Sequence, residues 1–342
     1  DSGAVFVYTR TATTWSFQAY IKASNTGAND NFGRSVSLSA DGNTLAVGAY
    51  EEDGSGTRGT TASNEGATDS GAVYVYTRAV GAWSFQAYLK ASNTGADDWF
   101  GYSVALSPDG NSLAVGAWSE DGSGAGVNPV VDEGAAGSGA VYVYERLAST
   151  WSFQAYIKAS NPGLVDNFGA SVALSTDGAS SNTLVVGAEG EDGSGTGVNP
   201  PSDDGAPNSG AVYVYTRRLA SAWSFQAYIK ASETDANDRF GGAVAVSADG
   251  STLAVGADGE DGSGTGANPA SDEGASFSGA VYVYTRVAGT WSFQAYIKAS
   301  NTGASDQFGA SVALSGDGNL LAVGAWREDG SGTGVNPPSD ES

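Results

Sequence analysis

The chain has 342 residues, with 15 Lys and Arg against 38 Asp and Glu, no His and no Cys, so its formal net charge is −23. This balance argues against nucleic acid as a partner, because phosphates attract a basic surface, and against anionic membranes. Without His and Cys the chain can form no disulfide, no His-dependent catalytic triad and no zinc site built on those ligands. No apolar run approaches the length of a membrane span. Since Met is also absent, including at position 1, we expect a processed or excised piece of a protein.

A unit of about 68 residues is repeated five times along the chain. The copies span approximately 1–68, 69–136, 137–207, 208–276 and 277–342. Each copy contains S-G-A-V, W-S-F-Q-A-Y, F-G and G-A in that order. Because a repeat of this length is one supersecondary unit that cannot bury its faces alone, successive copies are expected to pack together. The repeat therefore predicts a single domain over residues 1–342.

Each copy contains four short segments with the pattern of β-strands. In the first copy, residues 3–9 and 15–22 alternate between two faces and carry most of the aromatic side chains. Residues 35–39 and 44–49 are small and apolar, and a tight A-D-G-N turn joins them. We therefore expect antiparallel strands in which the small-residue segments are the most buried.

Four short strands per unit, repeated radially, are typical of the blades of a β-propeller. The predicted fold is an all-β, five-bladed β-propeller of four-stranded antiparallel blades, with the small-residue strands near the axis. A linear solenoid is the structural alternative. It would need atypical polar capping repeats, and neither the first nor the last unit differs from the others.

The phase of the repeat suggests how the propeller closes. The chain starts with the aromatic hairpin, residues 3–22, and ends after a small-residue hairpin, residues 311–325. Pairing of these N- and C-terminal hairpins would complete the fifth blade and leave no open strand edge. A longer protein with further repeats is the alternative.

The F-G and G-A pairs recur at a fixed separation, beginning with Phe32-Gly33 and Gly48-Ala49. Five such copies in register, each preceded by S-G-A-V, resemble the FG-GAP repeat of integrin α-subunit propellers and their bacterial relatives, over essentially the whole chain. The resemblance implies an adhesion function. Two features differ from the family pattern: no Pro follows G-A, and the D-x-D-x-D-G calcium loop is reduced to a tight turn around Asp41. A single carboxylate in a hairpin turn is typical of turn chemistry, so the family's calcium site is not expected there.

Most acidic residues lie on the two long loops of each copy. Ca²⁺ takes about six to eight oxygen ligands, and the E-D-G-S-G segment after G-A offers carboxylates, a hydroxyl and backbone carbonyls close together. We predict one Ca²⁺ or similar ion per blade, held by the E-D pair with the Asp before F-G as a further ligand. The alternative is a solvated acidic loop without metal. The E-D pairs are Glu52 and Asp53, Glu120 and Asp121, Glu191 and Asp192, Glu260 and Asp261, and Glu328 and Asp329. The aspartates before F-G are Asp30, Asp98, Asp166, Asp238 and Asp306.

The tryptophans fall into two groups. Those of the W-S-F-Q-A-Y segments are periodic and are expected in the core between blades, with sugar stacking as the alternative; they are Trp15, Trp83, Trp151, Trp223 and Trp291. Trp99, Trp118 and Trp326 break the repeat pattern next to the long loops. We therefore predict that these three make exposed contacts with a partner.

The sequence predicts a non-catalytic binding or adhesion module, extracellular or on the cell surface. Its acidic loop face, organised by Ca²⁺, would bind a protein or a glycan of a cell or matrix surface, without nucleic acid and without membrane insertion. The alternative is a structural subunit of a surface filament or sheath, assembled head-to-tail by strand donation between copies. A glycan-active enzyme is a third possibility, because two carboxylates at a defined separation suffice for that chemistry.

Overall fold

The computed structural model describes residues 2–56, 66–176, 181–218 and 221–335. These residues form twenty β-strands and no helix, so none of them belongs to a helix that could cross a membrane. The chain divides into two compact units, Asp1–Leu174 and Ser175–Ser342. The predicted single domain over residues 1–342 stays a prediction.

The strands follow the predicted order of aromatic and small-residue hairpins. The first unit contains β1 (Val5–Thr11), β2 (Thr14–Ile21), β3 (Ser35–Leu38), β4 (Thr44–Ala49), β5 (Ala72–Ala79), β6 (Ala82–Leu89), β7 (Phe100–Leu106), β8 (Ser112–Ala117), β9 (Ala140–Leu147) and β10 (Thr150–Ile157), and its boundary falls within β11 (Phe168–Thr176). The second unit contains β12 (Ser181–Ala188), β13 (Ala211–Arg218), β14 (Ser224–Ile229), β15 (Ala243–Val246), β16 (Thr252–Ala257), β17 (Ala280–Val287), β18 (Thr290–Ile297), β19 (Phe308–Leu314) and β20 (Leu321–Ala325).

Antiparallel four-stranded sheets are the repeating element of the fold. The first unit contains the sheets β3-β4-β5-β6 and β7-β8-β9-β10, and the second contains β15-β16-β17-β18. Strands β12, β13 and β14 pair in the same order. Each sheet joins the small-residue hairpin of one copy to the aromatic hairpin of the next. This is the strand order predicted for the blades of a β-propeller, and the all-β class is confirmed.

The small-residue strand is the buried centre of its blade. Every residue of β8 is buried, and β8 pairs with the aromatic strand β9, where Leu113 lies opposite Tyr144. The rings of Tyr142 and Tyr144 pack edge-on against Phe100, at centroid distances of 5.3 and 6.2 Å. One core cluster combines residues of β5 and β6 with residues of β8 and β9, so neighbouring sheets bury each other's faces. The predicted burial is confirmed for β8, whereas the other small-residue strand of this blade, β7, is half-buried at its centre, and β3 of the first copy alternates between half-buried and exposed residues.

The F-G and G-A pairs bring the backbones of neighbouring repeats into direct contact. Gly101 has a φ of +95°, a conformation that favours glycine, and a Cβ there would lie 2.6 Å from the carbonyl oxygen of Ala72. A Cβ on Gly116 would lie 2.1 Å from the carbonyl oxygen of Gly169, the F-G glycine of the next copy. The Ser103 hydroxyl donates a hydrogen bond to that same oxygen at 2.7 Å. The two glycines therefore permit an approach that any side chain would block.

The first and last hairpins each form a two-stranded sheet of their own. β1 pairs with β2 from Val5 opposite Ile21 to Thr11 opposite Thr14. β19 pairs with β20, ending at Leu314 opposite Leu321. The predicted closure of the propeller by pairing of these hairpins therefore stays a prediction.

Candidate binding surface

The glutamates predicted to bind calcium lie in buried ion pairs. The Glu120 carboxylate accepts hydrogen bonds from the Lys158 ammonium at 2.7 Å and from the Tyr156 hydroxyl at 2.6 Å. The Asn93 amide adds a third at 3.0 Å, and the Gly122 backbone N–H adds a fourth at 2.9 Å. The side chains of both charged partners are almost completely buried. Four donors within the protein therefore surround this carboxylate.

The same ion pair recurs along the chain and joins the loop of one copy to the next copy. Burial lowers the pKa of Lys158, and the charge of Glu120 opposes that shift. The Ser138 hydroxyl accepts a further hydrogen bond from the Lys158 ammonium at 2.6 Å. The corresponding pairs are Glu52 with Lys90, Glu191 with Lys230, and Glu260 with Lys298.

The aspartates before F-G are also buried, and each caps the turn that precedes it. Asp98 accepts a hydrogen bond from the Gly95 backbone N–H at 2.8 Å. Burial is the main cause that raises the pKa of Asp98 to about 7; the Gly95 hydrogen bond opposes this shift, and the charges of Glu120 and Glu133 add to it. Burial likewise raises the pKa of Asp238 to about 7. The buried members of the predicted calcium set are Asp30, Asp98, Asp166, Asp238, Asp306, Glu52, Glu120, Glu191 and Glu260.

The aspartates of the E-D pairs organise the long loops through backbone hydrogen bonds. Asp121 accepts from the Gly137 N–H at 2.8 Å. Asp132, further along the same loop, accepts from the Ser123 N–H at 2.6 Å and the Gly134 N–H at 2.9 Å. Asp53, Asp192 and Asp261 each accept the corresponding hydrogen bond from the backbone N–H sixteen residues further along the chain. Acidic side chains therefore give the glycine-rich loops a defined conformation.

These residues do not fit the predicted calcium sites. In the part of the chain that the structure describes, no group of three or more Asp and Glu side chains could hold a metal ion. The glutamates face lysine ammonium groups, and their oxygens accept protein donors that a Ca²⁺ ion would have to replace. Glu328 and Asp329 are the exposed members of this set, whereas Asp53, Asp121, Asp192 and Asp261 are half-buried. Calcium binding itself stays a prediction.

The copies differ from one another at three positions around the F-G and G-A pairs. The residue before F-G is, in chain order, Asn31, Trp99, Asn167, Arg239 and Gln307. The residue after F-G is Arg34, Tyr102, Ala170, Gly242 and Ala310. The residue after G-A is Tyr50, Trp118, Glu189, Asp258 and Trp326. Since the flanking motifs are repeated and these positions are not, the scaffold carries different side chains at the same place in each copy.

In the first unit, these positions bring four aromatic rings together. Trp99 and Trp118 are stacked, with ring centroids 5.0 Å apart and an angle of 10° between their planes. Tyr102 stacks on Trp118 at 5.5 Å, and Tyr50 packs edge-on against Trp99 at 5.5 Å. All four side chains are half-buried. We call these four residues the aromatic cluster; they leave part of their surface open to a ligand.

Polar side chains border the aromatic cluster. The Arg34 guanidinium lies 5.2 Å from the centre of the Tyr102 ring, a distance suited to a cation–π contact. The Asn31 amide donates a hydrogen bond to Glu51. Burial raises the pKa of Tyr50, and its hydrogen bond to Glu51 raises it further. The cluster therefore combines apolar ring faces with one cation, one amide and one carboxylate.

In the second unit, the same positions carry charged residues. Burial raises the pKa of the Asp258 carboxyl, whereas the charges of Arg239 and Arg327 lower it. The Arg327 guanidinium lies 4.5 Å from the centre of the Trp326 ring. Trp326 is 66% exposed, whereas the other two tryptophans of the predicted contact set, Trp99 and Trp118, are half-buried.

The predicted contact tryptophans therefore have different surroundings. Trp326 is exposed as expected, whereas Trp99 and Trp118 are stacked on each other and half-buried. The sequence prediction did not include Tyr50, Tyr102 or Arg34 in this surface. The signal was available, because these residues also occupy positions at which the copies differ.

The tryptophans of the W-S-F-Q-A-Y segments mostly belong to the core. Trp223 and Trp291 are buried, and Trp83 and Trp151 are half-buried. The Trp151 indole N–H donates to the Gln86 amide oxygen of the preceding copy at 2.9 Å. The exception is the tryptophan of the first hairpin, Trp15, which is exposed. The prediction of core tryptophans is confirmed for Trp223 and Trp291, whereas Trp83 and Trp151 pack partly buried against the core clusters.

A family model described as FG-GAP repeat matches five segments of the chain, residues 15–76, 83–144, 151–215, 223–284 and 291–336. Together these segments make up most of the sequence. The chain belongs to the FG-GAP repeat family. The resemblance based on the F-G and G-A pairs is therefore confirmed. A search of curated proteins found no match.

Solved structures similar to this FG-GAP repeat protein include two whose descriptions name gluconolactonases. One is a candidate 6-phosphogluconolactonase from Bacteroides uniformis ATCC 8492, with a TM-score of 0.53 and 13% identity, over 98% of this chain and 76% of that one. The other is the periplasmic gluconolactonase PpgL of Pseudomonas aeruginosa, with a TM-score of 0.50 and 18% identity, over 94% of this chain and 74% of that one. At this identity the likeness concerns the fold alone.

Proposed function

We propose that this FG-GAP repeat protein is a non-catalytic binding module that contacts a protein or a glycan through the aromatic cluster. The observation that carries the proposal is the stack of Trp99 on Trp118, built where the copies differ from one another. Half-buried rings offer a broad apolar face with a polar edge, and Trp, Tyr and Arg are enriched among the residues that dominate binding energy. A location outside the cell or on its surface, and a role in adhesion, are part of the proposal and rest on the family.

The backbone beneath the aromatic cluster is held by hydrogen bonds within the second copy. The Trp99 N–H donates to the Asp69 carbonyl at 3.2 Å, and the Tyr102 N–H donates to the Trp99 carbonyl at 3.1 Å. Between them, Phe100 is completely buried and its N–H donates to the Ser70 carbonyl at 3.1 Å. A surface held in place before binding loses less conformational entropy when a ligand arrives. The position of the cluster on the rigid part of the repeat therefore supports a role in recognition.

The similar lactonase structures raise an enzymatic function as the competing proposal. They share the fold with this chain at 13% and 18% identity, and neither comparison concerns individual residues. A fold of this kind can carry unrelated functions, because function depends on the residues of the site. The aromatic cluster has the composition of a contact surface, and we therefore place binding before catalysis.

The experiment is a titration of tryptophan fluorescence with a panel of oligosaccharides and extracellular matrix proteins. For a ligand that binds the wild type, we expect Trp118→Ala to weaken affinity by about tenfold or more. Trp326→Ala is the matched control, since it removes the tryptophan at the same position of the last copy, and we expect a change of less than about twofold. Equal affinities of wild type and Trp118→Ala would contradict the proposed surface. Turnover of gluconolactone or 6-phosphogluconolactone by the wild type would contradict a non-catalytic function.

A further inference from the structure

The second unit contains a small cavity at the sheet β15-β16-β17-β18. Its volume is about 190 Å³, and its wall includes Tyr282 of β17, Phe293 and Tyr296 of β18, and Glu233 from the loop after β14. Pockets for drug-sized ligands are larger, about 300 to 1,000 Å³. The cavity is therefore suited to a single small group, such as the end of one side chain.

Glu233 replaces the asparagine that the other copies carry after the K-A-S segment. These asparagines are Asn25, Asn93, Asn161 and Asn301. In the first unit, the Asn93 amide donates a hydrogen bond to Glu120 at 3.0 Å and accepts one from the Tyr142 hydroxyl at 2.7 Å. An ionised carboxylate has no proton to donate. Glu233 therefore cannot make the corresponding bond to Glu260.

This replacement leaves two polar groups at the cavity without partners. Among the described residues, neither the Glu233 carboxylate nor the hydroxyl of Tyr282, the counterpart of Tyr142, takes part in a hydrogen bond or an ion pair. Tyr282 is only 1% exposed. Since buried polar groups in folded proteins nearly always have a hydrogen-bond partner, the unpaired hydroxyl indicates that a ligand supplies one.

The electrostatic surroundings of the cavity favour a cation. Burial raises the pKa of Glu233, and the negative charges of Glu260 and Asp235 raise it further. Glu273 is affected in the same way, first by burial and then by its acidic neighbours, which include Glu233. The Lys298 ammonium is already paired with Glu260. A positive charge beside Glu233 would relieve the repulsion among these carboxylates.

The rest of the wall is aromatic and is held in place before any ligand arrives. Phe293 is 43% exposed, and the rings of Tyr282 and Tyr296 are in contact, with centroids 5.1 Å apart. Aromatic rings attract cations through their negative faces. Asn268, on the loop that borders the cavity, donates its backbone N–H to the Tyr296 carbonyl at 2.6 Å and accepts the Tyr296 N–H through its side chain at 2.9 Å. These two bonds fix the loop on β18, which reduces the entropy lost on binding.

We propose that this cavity binds a small primary ammonium group, which donates hydrogen bonds to the Glu233 carboxylate and the Tyr282 hydroxyl while its alkyl chain lies against Phe293. A lysine side chain of another protein and a free alkylamine offer the same chemistry. A metal ion fits less well, because the described residues hold no group of three acidic side chains that could bind one and aromatic rings supply no oxygen ligands. The cavity shares no residue with the aromatic cluster, so this inference does not depend on the proposed function.

Isothermal titration calorimetry at constant ionic strength tests the ligand class with unaltered protein. The probes are butylamine, Nα-acetyl-lysine N-methylamide, and butan-1-ol as the neutral analogue of butylamine. We expect at least one ammonium probe to bind, and butan-1-ol to bind about tenfold more weakly or not at all. Preference for the lysine derivative would identify a protein side chain as the ligand, and preference for butylamine a free amine. No binding of either ammonium probe, or equal affinity for butan-1-ol, would overturn the proposal.

Variants of exposed residues test the site with little effect on the fold. We expect Glu233→Gln to weaken binding of the ammonium probe by about fivefold or more. The control is Asp204→Asn, which also removes one exposed carboxylate but lies outside the cavity wall. We expect Phe293→Leu to weaken binding by about threefold or more. Its control is Phe225→Leu, because Phe225 has the same position in the preceding copy and is also 43% exposed. Equal affinities of each variant and its control would contradict the site.

Discussion

The Nζ atom of Lys158 lies 2.7 Å from Oε2 of Glu120, and neither side chain has appreciable contact with water. A buried ion pair is weak evidence for net stability, because both ions lose their hydration when they are buried. Loss of one partner is nevertheless costly, because the remaining charge stays buried without compensation. In this repeat protein the pair therefore acts as a fixed link between one copy and the next.

We expect Glu120→Gln to lower the free energy of unfolding by about 3 to 5 kcal/mol, because the Lys158 ammonium would remain buried without a counter-charge. Urea denaturation followed by circular dichroism gives the measurement. Glu328→Gln is the matched control, since this residue has the same place in the last copy but is exposed. At low protein concentration we expect the control to change stability by less than about 0.5 kcal/mol. Equal losses in the two variants would show that the buried pair has no special role.

The strand pattern could be predicted from the sequence, whereas the environment of the acidic residues could not. Alternation of aromatic and small residues, repeated in register, determines which segments become strands and which face the core, because both faces of each blade must be covered. The acidic loops were interpreted as ligands for a cation because carboxylates, glycine and hydroxyl groups lay close together. That interpretation did not consider that the lysine ammonium groups of the chain itself pair with the glutamates of these loops.

The missing signal was the position of the lysines. All five lysines of the chain follow the W-S-F-Q-A-Y segments, so each copy contains one. The Glu and its Lys lie in successive copies, 38 residues apart for Glu120 and Lys158. Local spacing cannot show such a contact, because it depends on how one blade packs on the next. For the aromatic cluster, the sequence analysis selected Trp99 and Trp118 but not Tyr50 or Tyr102, although these also lie at positions where the copies differ.

Gly101 offers a test of the close contact between two neighbouring sheets, because it lies in β7 and its contact Ala72 lies in β5. We expect Gly101→Ala to lower the free energy of unfolding by about 3 kcal/mol or more, because the added Cβ would collide with the Ala72 carbonyl in a backbone conformation unfavourable to alanine. Gly81→Ala separates the two causes, since its φ is +81° but no atom lies within 4 Å of the added Cβ. For this control we expect a loss of about 1 to 2 kcal/mol from backbone strain alone. Similar losses in both variants would argue against a role for the close approach.

Asp98 should make the protein less stable as the pH rises from about 4 to 7. Its pKa is raised to about 7 in the folded protein from 3.8, so between these values the folded state binds more protons than the unfolded state, and stability falls with increasing pH. We expect Asp98→Asn to remove part of this slope and to stabilise the protein at pH 8 by about 1 to 4 kcal/mol. Thermal melts across this pH range give the measurement. If the dependence of stability on pH were the same in Asp98→Asn and in the wild type, the raised pKa of Asp98 would be contradicted.

Asp109 provides the control of opposite sign for the pH experiment. Burial raises its pKa, but hydrogen bonds from Ser107 and Asn111 outweigh that effect and hold the pKa below its ordinary value. Its stabilising contribution is therefore present above the unfolded pKa and is lost as the pH falls through the lower folded value. We expect Asp109→Asn to reduce stability at pH 7 and to leave the slope between pH 5 and 7 unchanged. A gain in stability of the Asp109→Asn variant at pH 7 would contradict the lowered pKa of Asp109.

Removal of calcium tests the metal prediction that the structure leaves open. An ion bound only to the folded state at about 100 times its Kd would add about 2.7 kcal/mol per independent site. Because the described glutamates are paired with lysines and accept several protein hydrogen bonds, we expect the Tm to be the same in excess Ca²⁺ and in excess chelator. Mass spectrometry of dialysed protein gives the metal content independently. A large fall in Tm with chelator would mean that the ions are held by groups other than the buried Glu–Lys pairs, and Glu328→Gln with Asp329→Asn, the exposed acidic pair, would then be the first variant to examine.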